Sequence, residues 1–208
     1  RMAHTEDMTM LYTDAPVYVG DAVRAFMNRL NDARWSSDAA RAAGMRKLAV
    51  AQLGSEHIDQ QAFANIVAEQ TIRRIVPIAL RAAAKVNPDH AESLEAAAAY
   101  CESEGTKEAA VAARKAANAA YIYAYAGDAA ADTAYAAYAA AAANAAYAAD
   151  AAAAASAANA AANAAANAAA NAERDHIFCI AADIGLQALI TLKSPGCGYL
   201  RLCDEVAA

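Results

Sequence analysis

Between residues 129 and 172 the chain carries 32 alanines in 44 positions, with no glycine, proline, lysine or arginine. Alanine is the strongest helix former, so the tract favours helix locally and sets the expected class as all-α. It also withholds the polar side chains from which most active sites are built. Each buried methyl contributes only ~0.8 kcal/mol, so stability has to come from many methyls at helix–helix contacts, where small side chains let axes approach to about 8 Å. The expected fold is an antiparallel helical bundle with close-packed Ala-rich helices. As one straight helix the tract would be roughly 66 Å long. A compact globule of this chain length is roughly 43 Å across. A turn near Asp150–Ser156, the polar interruption able to cap a new helix, is therefore expected.

Around the tract, punctuation residues divide the chain. Residues 1–14 read as a polar lead, in which Arg1, ahead of Met2, reads as an appended residue. Residues 15–208 then form a single helical domain, with bulkier-core helices over 15–104 and Ala/Tyr/Asn-rich helices over 105–193. Asp14 before Ala15-Pro16 reads as an N-cap, and Val23, Phe26, Met27 and Leu30 recur at helical spacing to about Asn31. Ser36 or Ser37 caps a second helix ending at Leu53-Gly54. A third region starts near His57, with Pro77 kinking or dividing it and Asn87-Pro88 ending it. A fourth helix covers Ala91–Ser103 before Gly105, and Thr106 with Glu108 opens another that runs to Ala126. Gly127-Asp128 marks a boundary, and the last helix, about 174–193, puts Ile177, Ile180, Ile184 and Leu189 on one face before Ser194-Pro195-Gly196.

Composition removes several function classes. A net charge of −6 argues against a broad nucleic-acid surface. Asn159, Asn163, Asn167 and Asn171, falling within 13 residues of the alanine tract, argue against a membrane span. Early acidic residues (Glu6, Asp7, Asp14, Asp21) and the lack of an apolar core region argue against a secretory signal. Cys101, Cys179, Cys197 and Cys203 have no CxxC spacing, which disfavours zinc and favours reduced thiols in the cytoplasm over a Cys197–Cys203 disulfide. No phosphate loop, HExxH or GxSxG is present. His57 near Asp59, and His176 beside Asp175, read as capping or surface neighbours, and Asp128, Asp132 and Asp150 lack a ligand cluster. No enzyme activity, cofactor or metal is expected.

Three constellations remain as binding candidates. Asn159, Asn163, Asn167 and Asn171 step by four, drifting about 40° each and sweeping a face of about 120°. They form a solvated stripe or an amide surface for a partner. Six of the ten tyrosines lie between 121 and 147, among them Tyr121, Tyr125, Tyr135, Tyr138 and Tyr147. Among alanines these rings are the large surfaces, suited to filling volume between helices or to walling a ligand pocket or protein interface. Arg74, Arg81 and Lys85, at offsets of 7 and 11, are expected to share one helical stripe within about 40°. With Arg114 on the following helix, they could pair with Glu92, Glu95 or Glu108, or hold a carboxylate or phosphate.

The alanine content is similar to that of ice-binding helices, which place threonines eleven residues apart. Here Thr133 is followed at that spacing by Asn144 and Ala155, so the motif fails. The run "RRIVPIALRAAAKVNPDHAESLEAAAAYCESEG" and the later "AAVAARKAANAAYIYAYAGDAAADTAYAAYAAAAANAAYA", spanning Arg73 to about Ala149, resemble a family of alanine-rich helical bacterial immunity proteins. The Ala-rich helices carry tyrosine and asparagine where that family has histidine and arginine. The resemblance implies a bacterial or phage-borne protein that neutralises a target by binding it. The function expected is a non-enzymatic immunity or anti-defence factor. The alternative is a sponge for a nucleotide-like signalling ligand, and a minor third reading is ice binding. The partner is a protein or a small anionic ligand. Uncovered alanine surface further predicts a homo-oligomer.

Overall fold

The computed structural model describes residues 16–126 and 171–205, and over these the chain is an all-α bundle. In chain order the helices are α1 (Asp21–Asn31), α2 (Asp38–Ala51), α3 (Gln60–Arg74), α4 (Val76–Val86), α5 (Ala91–Glu104), α6 (Lys107–Ala126), α7 (Asn171–Thr191) and α8 (Arg201–Glu205). Short 3₁₀ turns occupy Ser55–His57, Pro88–His90 and Pro195–Tyr199. The turn expected at Asp150–Ser156 and the boundary at Gly127-Asp128 lie outside the described residues.

Local chemistry accounts for most of the helix ends. Ser37 Oγ accepts from Ala40 N–H at 3.1 Å and starts α2, while Asp59 caps Gln61 and Ala62 at the head of α3. Gly105 ends α5 at φ 62°, a left-handed conformation that glycine adopts without a Cβ penalty. Arg73 completes that cap from another helix, donating to the carbonyls of Glu102, Ser103 and Glu104 at 3.0, 2.6 and 2.7 Å. These are carbonyls that the end of α5 leaves without helical donors.

Two expectations need correction. Helix α1 begins at Asp21 rather than behind Asp14, because Pro16–Val19 form a turn closed by Val19 N–H to Pro16 O. Gly20 supplies no side-chain cap, and the orphan amides are satisfied from elsewhere in the fold. Ser55 Oγ accepts from Gly20 N–H at 3.1 Å, and Gln60 Oε1 from Ala22 N–H at 3.2 Å. The second correction concerns the basic stripe: Pro77 divides the third region, one of its two expected effects, so that α3 stops at Arg74, α4 starts at Val76, and Ile75 sits between them. Arg74 therefore belongs to a different helix from Arg81 and Lys85, and the single basic stripe does not form.

One continuous core runs through the described helices. Phe26 of α1 meets Phe63 of α3 edge-on, with ring centroids 6.0 Å apart. Helix α7 buries Ile177, Phe178, Ala181, Ala182, Ile184, Ala188 and Leu189. Those positions span roughly 160° of its circumference, a broader face than the expected isoleucine stripe. It packs against α2, α3 and α1. On the other flank, α4, α5 and α6 meet through small side chains: Ala79 and Ala83, Ala97 and Ala98, then Ala109, Ala110, Ala113, Ala117 and Ala120 are all buried. Alanine-mediated close packing is thus present before the tract begins.

The end of the chain folds back. Lys193 (φ 57°) closes α7 with Ser194 N–H bonding Leu189 O and Lys193 N–H bonding Ile190 O. Buried Ser194 then donates to Ala51 O at 2.7 Å, and Gly196 N–H to Leu53 O at 2.8 Å, so the tail caps the end of α2. Any side chain at Gly196 would run into the Val50 and Ala51 carbonyls.

Candidate functional site

Helices α1 and α2 are joined by a six-residue link and both pack on α7, but their remaining neighbours differ. α1 lies on α3 through Phe26, and α2 lies on α7 and the returning tail. Trp35 fixes the linked end. Its Nε1–H donates to Leu30 O at 2.9 Å, its ring lies 5.0 Å from that of Phe178 at a tilt of 44°, and its edge covers Gly44. Ser36 N–H and Oγ–H both bond the Asp175 carboxylate, tying the same link to α7. At the opposite end Gly54 N–H bonds Tyr18 O, bringing the end of α2 back to the start of α1. The two helices are thus held antiparallel and apart.

A groove of about 440 Å³ lies between them. Buried Val19, Met27 and Met45 form its apolar surface. Arg24 of α1 and Arg41 and Arg46 of α2 bring guanidinium groups, and Asn28, Asn31 and Gln52 bring amides. The lining contains no carboxylate, imidazole, thiol or hydroxyl among the described residues. In a chain of net charge −6 this is a local concentration of positive charge over an apolar base.

Two of the three arginines have partners on their own helices. Arg24 pairs with Asp21 at 2.5 Å and Arg41 with Asp38 at 2.9 Å, but the two aspartate side chains are 87% and 94% exposed. Such i,i+3 surface pairs are worth about 0–1 kcal/mol, whereas a hydrogen bond to a charged group is worth roughly 1.5–3 kcal/mol. An anion entering the groove can therefore displace the aspartates. Arg46 is exposed and pairs with no carboxylate among the described residues.

The basic residues singled out from sequence are placed differently. Arg74 pairs with Asp183 of α7 at 2.9 Å. Arg81 is engaged by two carboxylates of α5, reaching Glu95 at 3.2 Å and Glu102 through two bonds of 2.5 and 2.8 Å. The hydrogen bonds and charge of Arg81 hold the Glu102 carboxyl below its usual range, and Glu102 in turn raises the pKa of Arg81. Lys85 is exposed on α4, and Arg114 is half-buried on α6. None of these four lines the groove. Tyr121 and Tyr125 fall on the last turns of α6 and Asn171 opens α7. Tyr135, Tyr138, Tyr147, Asn159, Asn163 and Asn167 lie outside the described residues.

A second cleft, of about 380 Å³, opens on the other side of α2, against α7 and α8. Arg46 lines it too, with Lys47, Asp183, Cys179 and Cys203. All four cysteines are free thiols. Burial pushes the Cys101 thiol up to about 11, with Glu102 adding to it. Burial also raises Cys179, helped by the Asp175 charge, and burial alone raises Cys197. Raised values keep these thiols protonated at neutral pH and poor as nucleophiles. Among the described residues no cluster of three or more histidine, cysteine or acidic side chains could hold a metal, and no helix is long and apolar enough to cross a membrane.

No family model, curated protein or solved structure matches the chain. The groove has to be understood from its own residues. Arg24 and Arg41 did carry a signal in the sequence, since each precedes an inward-facing methionine by about one turn, Met27 and Met45 respectively. That spacing places a guanidinium at the rim of a buried apolar face. What the sequence lacks is any mark that the two faces belong to one groove.

Proposed function

We propose that this protein is a non-enzymatic binding protein that sequesters a small anionic molecule in the α1–α2 groove. One observation carries the reading: three arginines and three amides surround an apolar base, with no acidic side chain in the lining among the described residues. A groove of this volume is in the size range of small-molecule sites. Arginine suits phosphate and carboxylate because its planar fork donates two parallel bonds. Thioethers at Met27 and Met45 adapt to the flat or irregular body of such a ligand. Among the described residues the lining carries no group able to exchange a proton near neutral pH, which supports holding a ligand rather than transforming it. Sequestering a signalling molecule is also one way to neutralise a defence system, so this reading keeps the anti-defence role and moves its site from the tyrosines to the arginines.

A thermal-shift panel of phosphorylated, sulfated and carboxylated small molecules tests the proposal. At a hundredfold excess over Kd a ligand contributes about 2.7 kcal/mol, which for a chain of this size raises Tm on the order of 5–10 °C. The rise is expected for phosphate-bearing members and should be lost in Arg46→Ala. A panel that leaves Tm unmoved would overturn it.

A further inference from the structure

Resting on that reading, we infer that the cleft on the other side of α2 is a second anion site that regulates the groove, because both cavities draw on one guanidinium. Arg46 lines the groove and also lines the cleft against α7 and α8, and the two linings share no other described residue. Helical geometry explains this position. On α2, Met45 and Ala49 turn toward the groove, Ala43 and Lys47 toward the cleft, and Arg46 falls between the two pairs on the circumference. Its backbone is fixed within the helix, where its carbonyl accepts from the Cys203 thiol at 3.9 Å. Its side chain is exposed and pairs with no carboxylate among the described residues, so no ion pair there holds it on one side.

The cleft suits an anion in its own right. Lys47 adds a second cation, and Asp183, the one carboxylate of the lining among the described residues, is paired with Arg74 at 2.9 Å. Leu48, Ala182 and Leu186 give it apolar walls. The occupant that fits is a small carboxylate or phosphate with an apolar body. One guanidinium cannot serve both cavities at once. An anion held by Arg46 in the groove withdraws it from the cleft, and an anion in the cleft withdraws it from the groove. By linkage, each weakens the other by the same factor.

Cys179, exposed in the cleft lining, reports where Arg46 stands. Its alkylation in the full chain by anionic iodoacetate and by neutral iodoacetamide would be followed by peptide mass spectrometry. The ratio of the two rates cancels the ionisation of the thiol and leaves the attraction of nearby cations for an anion. The groove probes are adenosine monophosphate and inorganic phosphate, with binding measured separately by calorimetry. A saturating probe is expected to lower the Cys179 ratio about threefold, and Arg46→Ala to lower it as much with no probe present. Cys197, on the returning tail and outside both linings, should keep its ratio. A probe that binds while the Cys179 ratio stays put, or falls only as far as that of Cys197, would overturn the shared-arginine inference and leave the groove standing. A ratio that Arg46→Ala leaves unchanged would do the same. Loss of both alkylations together would put the probe in the cleft itself and overturn the groove reading. No binding of either probe would overturn both.

Discussion

A methyl added at Gly44 would stand 2.6 Å from the Trp35 ring, which has little room to yield. That ring is held by its bond to Leu30 O and by its tilted contact with the Phe178 ring. Alanine gains about 1 kcal/mol in helix propensity over glycine, but overpacking against a fixed ring costs typically 1–3 kcal/mol. Gly44→Ala is therefore expected to destabilise the fold by about 1 kcal/mol net, read as a lower urea midpoint. An unchanged or higher midpoint would mean that Trp35 moves aside. Glu102 gives a second residue-scale prediction, with a definite sign in pH. Its folded pKa lies below the ordinary 4.5 because of Arg81, so its contribution is full above that value. The contribution is lost as pH falls from there through the depressed folded value. Glu102→Gln should accordingly lower Tm at neutral pH, with the gap to the parent protein closing in acid. Both groups are partly exposed, so the gap at neutral pH should be modest.

Each helix was readable in proportion to how locally it is specified. Ser37, Asp59, Gly54, Gly105 and Asn87-Pro88 act on neighbours a few residues away, and the boundaries they imply match the structure within a few residues. The start of α1 was not legible, because its caps come from Ser55 and Gln60, at least 35 residues along the chain. Proline at 77 signalled an interruption, but the choice between a kink and a full division rested on the packing of two helices, which no local pattern encodes. Ser55 provides the test at this scale. Its hydroxyl is fully buried, and Ser55→Ala should cost about 1 kcal/mol, with faster amide exchange at Gly20–Ala22. Exchange that stays slow at those amides would show that the cross-chain cap does not set the start of α1.

At the scale of the molecule, the groove is a consequence of divided loyalties. Both helices rest on α7, α1 also on α3 and α2 also on the returning tail, and the space between them is left to three arginines, three amides and two methionines. The all-α class and the Ala-mediated packing were legible from composition. The site was not, since it depends on which helix each apolar face chooses. The arginines that sequence spacing grouped together, Arg74 and Arg81, are separated by the break at Ile75 and held by acidic partners. The central claim is that the α1–α2 groove takes a small anion, and nuclear magnetic resonance tests it most directly. Adenosine monophosphate would be titrated into isotope-labelled protein while backbone amide and arginine Nε signals are followed. Saturable shifts concentrated at Arg24, Asn28, Arg41, Met45 and Arg46 are predicted. Shifts that fail to saturate, that scatter over the surface, or that centre on Arg74 and Arg81 would contradict it.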